Sequence, residues 1–219
     1  MAFSEEKVRC LTALLGDVEG RKAYANAAAT HKDVPALKEM VALVEEQLAL
    51  DTDEATLADG IAVLGYVADR YDSLGRFAVS ARIYTRVLPL AWQRKRLYGA
   101  DTDGVRDLFY RALRARNFYV DDDCADLVAV AVRLMPADEA ERTVNERKEH
   151  RRSLRHDPVE MTDAYLAVID EVEERVEKTR TTHGHGSCHE VWSLTKTYLA
   201  EHGIVWRTPA EWNPHVRFD

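Results

Sequence analysis

Apolar residues recur every three or four positions along almost all of this chain, and that period constrains its fold more than any other feature. Between Asp53 and Gly75 they fall at Leu57, Ile61, Leu64, Val67, Tyr71 and Leu74. On a helix of 3.6 residues per turn those side chains share one face. Ser4 is suited to cap a first helix, with Val8, Leu11, Leu14 and Leu15 on its stripe and Gly16 as its stop. A second helix is expected over Gly20 to Thr30. A third runs from Asp33 to Leu50, with Leu37, Met40, Val44 and Leu48 facing inward. Asp157-Pro158-Val159-Glu160 reads as a cap, a first-turn proline and an acid returning a hydrogen bond to the cap. That signal opens a long helix to about Lys178, carrying Met161, Tyr165, Val168, Ile169, Val172 and Val176. No segment alternates apolar and polar residues long enough for a strand. Glycine (10) and proline (6) are too scarce for a sandwich or barrel of many tight turns. The expected fold class is all-α.

Charge narrows the function classes. A formal net charge of −8 argues against a nucleic-acid coat or a polybasic membrane binder. No apolar run approaches the roughly 20 residues that span a bilayer. The N-terminus turns acidic by its fifth residue, unlike a secretory signal. Three cysteines, an odd number, do not make a disulfide framework. These features lead to the expectation of a cytoplasmic, soluble protein with neither a nucleic-acid nor a membrane partner.

The spacing also repeats. Leu64, the pair Val67-Ala68 and Tyr71 make one helix, Gly75 the turn, and Ser80 with Tyr84 the returning helix. Small residues let paired helices approach, and large ones fill the gaps that remain. Forty-four residues on, Leu108, Ala112, Cys124, Val128, Ala131 and Pro136 take equivalent places, with Tyr98 to Gly104 as an inserted loop. Val87, Trp92, Arg111 and Ala115 depart from the pattern. Residues 56–136 thus resemble two degenerate tetratricopeptide-like hairpins. The resemblance implies an array of antiparallel helical hairpins, a right-handed α-solenoid or otherwise an irregular bundle, whose concave face binds an extended peptide. Residues 1–180 would form the array. Residues 181–219 would close it within the same globular unit.

The stretch from Asp138 to Asp157 is nearly devoid of large apolar residues. Its second half concentrates Arg147, Lys148, His150, Arg151, Arg152, Arg155 and His156 against a single Glu149. An anion or phosphate site competes here with a solvated helix laced with ion pairs such as Glu146 to His150. The acidic chain and the absence of interleaved aromatics favour the solvated helix.

Beyond Arg180 the sequence changes character. His183, His185, Cys188 and His189 crowd a short glycine-rich run, Thr181-Thr182-His183-Gly184-His185-Gly186-Ser187-Cys188-His189-Glu190. Ser187 with Glu190 reads as a capping box, opening a helix at Cys188 that ends at Glu201 before Gly203. A cysteine in a first helical turn feels the positive end of the helix dipole, which favours its thiolate. Three readings stay open. His183, His185, Cys188 and His189 have the donor atoms for a zinc-like divalent ion, although their spacing is compressed and no partner CxxC exists. Cys188 is alternatively a nucleophile with His183 or His185 as its base. In the third reading the histidines cap and pack, and Cys188 is simply buried.

The last residues carry Trp206, Trp212 and Phe218, which cannot all face water cheaply: full burial of each contributes roughly 1.5–3 kcal/mol. The strings G-S-C-H-x-x-W, G-I-x-W-R-T-P and N-P-x-V-x-F-D resemble the closing segment of bacterial proteins of unknown function, a resemblance that carries no chemistry with it. The tail is expected to be an extended strap on the helices. Arg207, Arg217 and the terminal carboxylate are candidates to build a binding pocket with the His/Cys loop. No complete catalytic constellation appears. The sequence therefore leads to a protein- or peptide-binding helical module without catalysis, with a metal- or thiol-dependent enzyme centred on residues 183–189 as the alternative.

Overall fold

A computed structural model of the chain describes residues 3–24, 31–99, 104–119, 124–149, 154–184 and 186–218. These residues form α1 (Glu5–Tyr24), α2 (Val34–Leu50), α3 (Glu54–Ser73), α4 (Phe77–Tyr98), α5 (Val105–Arg116), α6 (Ala125–Ala131) and α7 (Ala137–Glu149). They continue with α8 (Asp163–Thr179), α9 (Ser187–Glu201) and α10 (Pro209–Trp212). Short 3₁₀ helices cover His31–Asp33 and Pro158–Met161. Among the described residues there is no strand, and Tyr119 and His156 form an isolated backbone bridge. The all-α expectation holds.

The chain divides into two compact units. The first comprises residues 1–116 and 124–150, the second residues 117–123 and 151–219. The boundary expected at residue 180 falls inside the second unit, because α8 packs against α9.

In the first unit consecutive helices pack as antiparallel neighbours from α1 to α5, and α7 returns to α5. Leu64, Val67, Ala68 and Tyr71 of α3 and Ser80, Tyr84 and Val87 of α4 are all buried. Gly75 makes the turn between these two helices at φ +76°, a conformation that costs a residue with a Cβ about 1–2 kcal/mol. A Cβ at Gly60 would stand 3.4 Å from Val44 and Leu48, so the glycine allows α2 its close approach to α3. Leu37, Met40 and Val44 fill that contact from α2. One buried ion pair crosses the same region: Arg70 of α3 donates to Asp33 at 2.7 Å, with both side chains almost fully enclosed.

Several boundaries differ from the sequence reading. Ser4 does cap α1, accepting from the Lys7 amide at 3.3 Å. Gly16, however, does not end the helix, which runs through it and through Gly20 to Tyr24. An isolated glycine costs a helix about 1 kcal/mol, too little to stop it where its neighbours continue the turn. No separate helix starts at Gly20, and residues 25–30 lie outside the described residues. The second hairpin is irregular. Cys124 stands before α6 with φ +58°, α6 has 7 residues, and Val128 is half-buried. Leu108 and Ala112 are buried as expected, but α5 packs mainly on α4 and α7. Of the expected inserted loop, Tyr98 still belongs to α4 and Gly99 closes that helix at φ +70°; residues 100–103 lie outside the described set. In the basic segment, Glu146 pairs with Arg106 of α5, and residues 150–153 lie outside the described residues.

The long helix expected from Asp157 is two pieces. Asp157 accepts from the Val159 amide at 3.0 Å and caps the 3₁₀ helix Pro158–Met161. Thr162 then accepts from the Tyr165 amide and caps α8. Ile169, Val172 and Val176 of α8, Tyr198 and Leu199 of α9, and Ile204 and Trp206 beyond it make the core of the second unit.

Candidate functional site

The His/Cys loop enters α9 through Gly186 at φ +81°, so the helix begins at Ser187 and Cys188 lies in its first turn. The expected capping box does not form. The Ser187 hydroxyl donates to the Gly184 carbonyl at 2.7 Å, closing the turn before the helix. Glu190 reaches back over that turn. It accepts from the Thr181 amide at 3.0 Å, the Thr182 amide at 2.7 Å and both threonine hydroxyls. The Thr182 hydroxyl first, then the two amides, hold its carboxyl down at about 2. An acid at the fourth helical position can satisfy either the cap or the incoming segment, and here two threonines supply four donors.

The candidate ligands go to different places. His183 is exposed, Cys188 is half-buried, and His185 lies outside the described residues. His189 turns its ring edge-on to Trp192, 5.4 Å between centroids, and its Nε2 stands 3.3 Å from the Phe218 carbonyl oxygen. Phe218 in turn meets Trp192 edge-on at 5.0 Å. His189 thus serves the junction between α9 and the tail. Among the described residues, no three His, Cys, Asp or Glu side chains gather into a metal-binding group. Cys10 is half-buried, whereas Cys124 is fully buried.

The tail follows an extended path whose side chains alternate. Ile204 and Trp206 are buried, while Val205 and Arg207 face outward. The Arg207 amide donates to Asp157 at 2.7 Å. Its guanidinium lies 5.2 Å from the centroid of the Trp212 ring, a cation–π contact. Thr208 and Glu211 form a full capping box at α10, with Pro209 in the first turn, and Lys196 of α9 donates to Glu211 at 2.6 Å. Asn213 is fully buried. Its amide copies a strand neighbour, accepting from the Arg155 amide and donating to the Arg155 carbonyl, each at 2.9 Å. Arg217 is exposed, one residue before Phe218.

A constellation that the sequence reading missed lies beneath this strap. The Glu160 carboxylate is buried and accepts from the Trp206 indole at 2.9 Å and the Tyr119 hydroxyl at 3.3 Å; His156 Nδ1 stands 3.2 Å away. The His156 amide also donates to the Phe118 carbonyl, and its ring meets Phe118 edge-on at 5.7 Å. Two segments remote in sequence, at Tyr119 and Trp206, converge on one carboxylate beside its near neighbour His156. The local D-P-V-E signal pointed to a helix-capping acid, and nothing near Glu160 announced partners 41 and 46 residues away.

On the first unit, Arg111 of α5 donates to both oxygens of Asp69 on α3, at 3.2 and 3.1 Å, and to Asp107 at 2.8 Å. Tyr84 of α4 also donates to Asp69. Burial first, and then this bond, push the Tyr84 phenol well above its ordinary range. This network ties three helices along one exposed edge. No helix among the described residues is long and apolar enough to cross a membrane. No family model, curated protein or solved structure matches the chain.

Proposed function

We propose that this protein is a protein- or peptide-binding module without catalysis of its own, built on a tetratricopeptide-like array of helical hairpins in its first unit. The observation that carries the reading is the Arg111–Asp69 bridge. It links the side chains of α3 and α5, helices that each pack on α4, across one polar, accessible face. Both side chains are about half exposed, so the face is open to a partner. In a stacked array such helices line a continuous surface suited to an extended chain. The His/Cys loop enters this reading as architecture, because Glu190 and His189 spend their hydrogen bonds on positioning the loop and the tail.

A photo-crosslinking residue placed at Asp107 tests the proposal. The expected result is a crosslink to one recurring protein. That protein, purified, should then bind saturably, and Arg111→Ala, verified as folded by circular dichroism, should weaken binding at least tenfold. Binding that ignores Arg111→Ala, or no saturable binding, overturns it.

A further inference from the structure

We draw no further inference here: the strongest candidate, the pocket between α4, α5 and the start of α7 lined by Trp92, Lys95, Val105, Arg106, Met135 and Glu139, joins an apolar floor to groups of both charges, and nothing in the structure shows what covers it.

Discussion

The indole N–H of Trp206 donates to the buried carboxylate of Glu160 across 2.9 Å, joining residues 46 positions apart. Trp206 therefore contributes both apolar burial and a polar anchor to the second unit. A buried carboxylate is tolerated when its lone pairs meet donors, and here the indole, the Tyr119 hydroxyl and the His156 ring surround it.

Replacing Trp206 by Phe separates the two contributions. The ring still fills most of its site, but Glu160 Oε1 loses its donor. The expected cost is about 1–3 kcal/mol, the penalty for an acceptor left unsatisfied in the interior. Urea denaturation of Trp206→Phe against the parent measures it, and a change within error would show that water replaces the indole freely.

Deleting residues 206–219 removes that anchor together with the Asn213 clasp on Arg155. The remaining α8–α9 surface would expose Ile169, Val172 and Leu199, which the strap's core helps to enclose. A thermal midpoint lowered by several degrees is expected for the truncated chain in calorimetry. An unchanged trace would make the tail a peripheral appendage.

In the first unit, Asp33→Ala leaves the Arg70 guanidinium enclosed without its carboxylate. Breaking one side of a buried pair typically costs about 3–5 kcal/mol, because the survivor is an uncompensated charge. The double variant Asp33→Ala with Arg70→Met should recover much of that loss. Equal stability of the single variant and the parent in a denaturant titration would contradict the enclosure.

The turn before α9 should loosen in acid. The ordinary Glu190 carboxyl value of 4.5 is lowered to about 2 in the folded chain. The folded value lies below the unfolded one, so the stabilisation is complete above about 4.5 and is lost as pH falls through about 2. The protection of the Thr181 and Thr182 amides against hydrogen exchange, taken relative to an unstructured amide at the same pH, should fall across that window. Glu190→Gln should flatten the profile, and an identical profile in that variant would remove Glu190 from the explanation.

Cysteine accessibility predicts an order of alkylation. Cys124 has no exposed surface, whereas Cys10 and Cys188 are half-buried. Iodoacetamide labelling of the folded protein, followed by mass spectrometry, should modify Cys10 and Cys188 well before Cys124. Labelling of Cys124 first would contradict its burial.

Local signals predicted the helices with uneven success, and the pattern of success has a physical basis. The stripe from Leu57 to Tyr71 and the turn at Gly75 were legible because helix periodicity and a left-handed glycine depend on near neighbours. Gly16 misled because one glycine weakens a helix by less than the surrounding turns stabilise it. Ser187 and Glu190 misled for a different reason. A capping pair competes with any other donors in reach, and Thr181 and Thr182 came into reach only when the preceding turn folded.

By itself, the sequence determined that the described chain is helical, where most helices run, and that Trp206, Trp212 and Phe218 could not all face water, because amphipathic period and apolar area act through local geometry and water. Tertiary structure alone decided that α8 joins α9 and the tail, that His189 faces Phe218, and that Tyr119 and Trp206 meet at Glu160. Those pairings join groups tens of residues apart, and a hydrogen bond acts over about 3 Å of space, whatever the distance along the chain.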